Sequence, residues 1–219
     1  MNVVILGGGG HGRVVIDIVE KAGRFRLLGV VDAVVPVGQA VLGYEVLGRD
    51  ADLSRLVERH PIEGIVIAVG DNWARSRAVA AVRGMTPRIA MPNVIHPSAS
   101  IAKGFRLGQG NVVMAGAVVN SGATLGDFCI VNIHASVDHD ARLGDYASLA
   151  PHACAGANVE IGEFTAVGLG AHIVRGRKIG AHTVVGAGAT VLDDLPPHVV
   201  AYGTPARKIR DRQAGERYL

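Results

Sequence analysis

Hydrophobic residues recur along the second half of the chain at intervals of six, a spacing that suits neither a helix nor a plain strand. Counting by sixes from Ile95 gives Ile101, Leu107, Val113, Val119, Leu125, Val131, Val137, Leu143 and Leu149, then Ala155, then Ile161, Val167, Ile173, Ile179, Val185 and Val191. Ala155 is the single exception to the run of large aliphatics. Glycine often comes next, as at Gly108, Gly126, Gly144, Gly162, Gly168, Gly180 and Gly186, and the fifth place is usually small, as at Ala117, Ala123, Ala135, Ala147, Ala153, Ala171 and Ala189. One short strand plus one corner accounts for six residues, if the aliphatic and the small side chain point inward and the glycine relieves the backbone at the turn. Three such sides close a triangular coil of 18 residues, so residues 95–191 supply about five coils. Stacked coils pair their backbones about 4.8 Å apart, and each buried aliphatic stabilises by roughly 1.5–3 kcal/mol.

The front of the chain obeys a different rhythm. Residues 2–6 form an apolar strand-like run, Gly7–Gly10 a glycine turn, and Val14–Val19 a helix-compatible stretch that closes near Gly23. A second apolar run, Leu27–Val31, ends in Asp32, and a third, Ile65–Val69, ends in Gly70-Asp71-Asn72. Helical patterns cover roughly 50–58 and 73–83. Alternating strands and helices predict a small parallel sheet whose ligand contacts lie at the strands' carboxyl ends. The expected organisation is an α/β half-Rossmann-like domain over 1–93, an all-β parallel helix over 94–195 and a tail over 196–219, with Pro92 and Pro97 stiffening the join.

Composition narrows the class. Aromatics make up only 4% of the chain and glycine numbers 30, which fits a core of small regular layers. No run approaches the roughly 18–20 apolar residues of a membrane span, and Val3-Val4-Ile5-Leu6 meets Gly7 too soon for a signal peptide, so a cytoplasmic location is expected. Cys129 and Cys154 make neither a disulfide framework nor a zinc spacing, and Cys129 falls at an inward small position. The net charge of +3 comes with scattered arginines and a small basic cluster between Arg207 and Arg217. That suits phosphate-bearing small ligands and not a nucleic-acid track, which needs a dense basic stripe with interleaved aromatics.

Gly7, Gly9 and Gly12 satisfy G-x-G-x-x-G, and Asp32 follows at the distance a dinucleotide fingerprint asks. A nicotinamide enzyme is nonetheless disfavoured, because the α/β part is half of a full dinucleotide fold. Phosphate or nucleotide binding at the Gly10-His11 amides, where a helix begins, is the expected use.

Past Val191 the repeat stops at Asp193-Asp194-Leu195-Pro196-Pro197, and the tail carries Gly203-Thr204-Pro205-Ala206. Together with the Gly-His11-Gly12 turn, Ala68-Val69-Gly70-Asp71-Asn72, Arg75 and Ile95-His96-Pro97-Ser98-Ala99, this tail resembles the sugar O- and N-acyltransferase family with hexapeptide repeats. Its relevant branch holds perosamine and bacillosamine-pathway N-acetyltransferases and sialic acid O-acetyltransferases. The resemblance implies a left-handed parallel β-helix, acetyl-CoA as cosubstrate, no metal and a homotrimer that shares its active sites across interfaces. It implies a nucleotide-linked amino sugar as acceptor, with GDP, UDP and dTDP all open at residues 31–45 and sialic acid O-acetylation as the alternative. The family's catalytic histidine with its following acid maps onto His139-Asp140, in the segment Asn132-x-x-Ala135-x-Val137-Asp138-His139-Asp140.

By the same resemblance Gly10, His11, Asp32 and Asn72 hold the nucleotide and Asn132 lies near the sugar. The Ala157 amide faces the thioester, Ala171 and Gly186 line the pantetheine channel, and Arg207 or Lys208 meets the CoA phosphates. A departure occurs where relatives carry His-x-Ser-Pro-Gly, since this chain reads Ser148-Leu149-Ala150-Pro151-His152. The hexad register places His139 at a corner, outside the inward set and open to substrate. His134 and His152 lie eighteen apart and should stack. The pair His134 and His139 also hints at a carbonic anhydrase-like zinc site, but its third ligand is missing near Ser98. A catalytically dead nucleotide-sugar binder is disfavoured by the intact His139-Asp140 pair.

Overall fold

The computed structural model describes residues 1–218 and divides into two units, Met1–Gly70 with Ala74–Pro97 and Asp71–Trp73 with Ser98 onward. In the first unit, β1 (Asn2–Leu6) is followed by α1 (Gly10–Ala22), β2 (Arg26–Val31), β3 (Ala40–Val41) and β4 (Tyr44–Gly48). A 3-10 turn over Asp50–Asp52 leads into α2 (Leu53–Arg59), then β5 (Gly64–Ile67) and α3 (Asn72–Met85), whose first two residues belong to the second unit. The sheet order is β3-β4-β2-β1-β5, parallel except for β3 against β4. β1 is central, and its unbroken apolar run reflects burial on both faces, with Val3, Val4 and Ile5 fully buried. α1 turns Val15, Ile16, Ile18 and Val19 inward and ends on Gly23, whose left-handed backbone lets its N–H reach the Glu20 carbonyl. The hairpin β3-β4 has no counterpart among the elements expected from the apolar pattern. β3 is only two residues long, and Leu42 and Gly43 form the turn with φ of 48° and 86°.

The second unit is a left-handed parallel β-helix of two-residue strands. Strands one coil apart pair in parallel at an offset of 18 residues, so Val119 meets Val137, Leu125 meets Leu143 and Val131 meets Leu149. One face stacks six strands, from Ser100–Ile101 to Thr190–Val191, and another stacks five, against about five coils expected from the period. The step-of-six aliphatics from Val113 to Val191 are all buried, and so are the alanines at the fifth place.

The corners depart from expectation. The residue in the left-handed region is not the glycine after each aliphatic but the residue three places after the aliphatic. From Gly104 through Gly110, Gly116 and Gly122 to Phe128, His134, Asp140, Tyr146, His152, Asn158, Phe164, Gly170, Gly176, His182 and Gly188, φ lies between 54° and 80° without interruption. The glycine directly after the aliphatic instead admits the backbone of the next coil. A Cβ on Gly144 would lie 2.6 Å from the Glu163 nitrogen, and one on Gly162 would lie 2.4 Å from the Ala181 nitrogen.

Non-glycine residues at φ > 0 are strained, and here side chains stacked coil over coil offset that strain. Phe128, Tyr146, Phe164, His182 and His198 form one column of parallel rings with centroids 4.7–5.4 Å apart. His134 and His152 stack at 5.3 Å in a second column, in keeping with their spacing. The chain closes with a hairpin of Val199–Gly203, parallel to Val184–Val185, and Ala206–Asp211, joined through Thr204 and a cis Pro205.

Candidate active site

The corner Asp138-His139-Asp140 brings three titratable side chains to the surface of the helix. Asp140 occupies the left-handed corner position (φ 58°), and its carboxylate rests where Gly122, one coil earlier, has no Cβ. From there Asp140 Oδ2 meets His139 Nδ1 at 2.9 Å. Both side chains are about half exposed. A carboxylate on Nδ1 fixes the proton there and leaves Nε2 as the basic nitrogen. His139 is also held by its backbone: its N–H donates to Asp138 Oδ1 at 2.7 Å, and its carbonyl accepts from the Asn158 N–H at 3.0 Å. Asp138 Oδ1 further accepts Asn120 Nδ2 at 3.0 Å. Hydrogen bonds to its carboxylate, first from the His139 amide and then from Asn120, hold the Asp138 carboxyl below its ordinary range against the opposing effect of desolvation.

In the first unit the glycine turn is shaped by close approach. A Cβ on Gly12 would lie 2.0 Å from the Gly7 carbonyl oxygen, and Gly7 itself sits at φ 113° against the Ala68 carbonyl. Gly9 and Gly10, by contrast, face open space. α1 starts at Gly10 with no side-chain cap and no acidic residue in its first turn, so its leading amides remain available to an anion.

Asp32 fastens this turn. Its Oδ2 accepts the Gly8 N–H at 2.5 Å and its Oδ1 accepts the Val34 and Val35 N–H groups, each at 2.7 Å. Burial raises the Asp32 carboxyl, but the three amides together outweigh it and hold it below its ordinary value. Both carboxylate oxygens thus hold backbone amides, and Asp32 shapes the turn. A cleft of 460 Å³ opens beside it, lined among others by Gly7, Asp32, Val34, Val69 and Arg77.

His11 stands in the first turn of α1. Burial, and secondarily the Arg75 guanidinium, lower its pKa to about 4. Arg75 is itself buried and donates to the Val69 and Gly70 carbonyls at 3.0 and 2.7 Å. His11 Nε2 is buried without a partner among the described residues. The folded protein therefore refuses a proton that the unfolded chain accepts between pH 6.5 and about 4. Stability contributed by neutral His11 is full above the unfolded value and is lost as pH falls, by about 3 kcal/mol on reaching pH 4. Urea denaturation at several pH values should show this decline in the wild type and a flatter profile in His11→Gln.

Residues 2–82 match the PglD N-terminal domain family. Comparison with curated proteins finds no match. A histidine-to-alanine mutant of GDP-perosamine N-acetyltransferase from Caulobacter crescentus, solved with CoA and GDP-perosamine, is 40% identical over 96% of this chain and 98% of that one, with a TM-score of 0.90. The chain belongs to the hexapeptide-repeat sugar N-acetyltransferase family. This sugar N-acetyltransferase is also similar to the acetyltransferase domain of PglB from Neisseria gonorrhoeae, at 32% identity over 95% and 99% of the two chains (TM-score 0.84). WeeI from Acinetobacter baumannii AYE is 25% identical over 95% and 100%, with a TM-score of 0.84.

Two residues of this N-acetyltransferase, Asn72 and Ala171, do not stand where the sequence placed them. Asn72 is buried, its Nδ2 donating to the Phe164 and Thr165 carbonyls at 3.3 and 3.2 Å and its N–H to the Tyr218 hydroxyl at 3.1 Å, so it ties Asp71–Trp73 to the β-helix and does not present itself to a ligand. Ala171 is fully buried among the inward alanines, and its N–H and carbonyl are spent on Gly168 and Cys154; it lines no channel. Ala157, expected to turn its amide to a thioester, is buried, and its carbonyl accepts the Gly176 N–H at 2.9 Å. Gly186 lies beneath Tyr202, whose Cβ a side chain there would meet at 2.7 Å. Asn132 accepts the Ile133 N–H on its Oδ1 at 2.8 Å and keeps a half-buried corner place.

Arg207 and Lys208 are exposed on the closing hairpin, paired with Asp193 at 3.2 Å and Asp211 at 2.6 Å. Cys129 is buried, with its Sγ 3.2 Å from the Gly144 carbonyl. No group of three His, Cys, Asp or Glu residues is arranged to hold a metal among the described residues, and no helix there is long and apolar enough to cross a membrane. Sequence reasoning gave Asp138 and Asn120 no role. The available signal was that Asn120, Asn132 and Asp138 occupy the same place after their aliphatics, where a short acceptor side chain can bond the next amide.

Proposed function

We propose that the protein transfers the acetyl group of acetyl-CoA to the amino group of a nucleotide-linked 4-amino-4,6-dideoxy sugar, with His139 as general base and Asp140 orienting it. The observation that carries this reading is the His139–Asp140 pair, 2.9 Å apart on an exposed corner with Nε2 left basic. The amine nitrogen attacks the thioester carbonyl as His139 Nε2 takes its proton, and CoA leaves as the thiol when the proton returns. No covalent enzyme intermediate is required.

Acceptor phosphates suit the uncapped first turn of α1 beside the open Gly9 and Gly10, where neutral His11 offers an unpaired ring nitrogen. Arg207 and Lys208 can exchange their exposed carboxylate partners for CoA phosphates at little cost, since surface pairs contribute little. The likeness to the GDP-perosamine enzyme makes GDP-perosamine the first acceptor to try. A homotrimer working in the cytoplasm completes the reading.

Release of CoA thiol from acetyl-CoA tests it, with GDP-, UDP- and dTDP-linked 4-amino-4,6-dideoxy sugars and sialic acid offered singly. Turnover on one nucleotide amino sugar is the expected result and names the base. Activity on sialic acid alone, or silence with all four, overturns the reading.

A further inference from the structure

We infer that Asp138 is a positioning residue that sets the place of His139 through the peptide backbone, separately from Asp140, which sets its ring. The inference rests on the His139 reading above and adds a second acid with a different role.

The geometry around Asp138 spans three successive coils. Its Oδ1 takes the His139 N–H at 2.7 Å from its own coil and Asn120 Nδ2 at 3.0 Å from the coil before, and the coil after is tied to the His139 carbonyl by the Asn158 N–H at 3.0 Å. Asn120 and Asn132 each make the corresponding turn, accepting the next N–H at 2.8 Å, but with a neutral amide. The corner that carries the histidine uses an ionised acceptor instead. Hydrogen bonds to a charged acceptor are roughly twice as strong as neutral ones. With the His139 carbonyl held by the Asn158 N–H, both backbone groups of the residue are tied, and only the side-chain torsions are left for Asp140 to settle. A base must lie within hydrogen-bond reach of the proton it removes, and a displacement of about 1 Å can cost about a hundredfold in rate.

Asp138→Ala is therefore expected to lower kcat for GDP-perosamine about ten- to a hundredfold, with KM for acetyl-CoA and for the sugar changed less than about twofold. Asp138→Asn keeps an acceptor for the His139 amide and should recover much of that loss. In a His139→Ala background the Asp138→Ala change should cost nothing further, because positioning has no value without the base. Hydrogen exchange at the His139 amide, read by NMR on the substrate-free protein, should quicken about tenfold or more in Asp138→Ala, as the loss of a charge-assisted bond implies, and by a smaller factor in Asp138→Asn, which keeps the acceptor without its charge.

Unchanged exchange in Asp138→Ala overturns the clamp, and so does a rate loss of equal size with or without His139. The exchange measurement needs no acceptor, so it decides the clamp even if GDP-perosamine is not turned over. Full activity in His139→Ala alone removes the base assignment and leaves the exchange result standing.

Discussion

His139→Ala is expected to lower turnover by about 10²–10⁴-fold, the span that general-base catalysis contributes. The fold should survive the change, because the side chain is half exposed and its one side-chain partner, Asp140, is more exposed still. Its backbone ties, to Asp138 and Asn158, do not depend on the ring. Binding of CoA, followed by calorimetry, and the unfolding midpoint should both stay near wild type while CoA thiol release collapses. Retained activity would assign the proton transfer elsewhere. Asp140→Asn should be milder: the amide still meets Nδ1 at the corner, yet an amide that flips to donate selects the wrong tautomer, which places the proton on the nitrogen that must be basic.

Asp32→Ala should strongly destabilise the first unit. Three amides lose their acceptor at once, those of Gly8, Val34 and Val35, at a position only 9% exposed. Hydrogen bonds to a charged group contribute about 1.5–3 kcal/mol each, and part of the loss is recovered as water reaches the amides, so a net cost of about 4 kcal/mol is expected. Asp32→Asn should cost less, since one oxygen can still serve Val34 and Val35 while Gly8 is abandoned. The acid itself predicts a pH effect of definite sign. Its carboxyl titrates lower in the folded state than in the unfolded one, so the stability it gives is present above the unfolded value near pH 3.8 and is lost as pH falls through the folded value. Urea denaturation measures the cost, and GDP titration by calorimetry should show affinity failing with the turn.

The period of the second unit is legible in the sequence because each coil puts residues 18 apart on top of one another, so that every layer repeats the same demand for an aliphatic and an alanine. The corner conformation is not legible there, because the same left-handed position is filled by Gly122, Asp140, Asn158, His152 and Phe164 alike. What those residues share is a neighbour one coil away, not a chemical type. In the first unit the strand–turn–helix opening is plain, since β1 is buried on both faces and its glycines punctuate sharply.

Asp32 has a turn-fastening role that the sequence does not announce, for a physical reason. A carboxylate at the end of β2 serves equally to bind a ligand hydroxyl or to fasten a neighbouring turn, and only the positions of the Gly8, Val34 and Val35 amides separate the two. Asn72 and Ala171 differ from expectation similarly, because the partners of Asn72 lie about 90 residues away along the chain and Ala171 is enclosed inside a coil. The β3-β4 hairpin escapes sequence reading because β3, at two residues, carries no period, and its turn uses Leu42-Gly43 in place of the usual Asn-Gly.

The unbroken series of left-handed corners also governs how this chain can change in length. One residue inserted within a coil would move every later side chain by a place, exchanging Leu143 for a neighbour that belongs outside and breaking the ring columns at the same stroke. A whole coil inserted together, such as a second copy of 126–143, would keep the register of every column, with ring above ring at Phe128 and His134, though it would set one Asp140 carboxylate over another. Growth and shortening of the β-helix are therefore counted in whole turns, like the thread of a screw, and any remainder has to bulge outward at a corner.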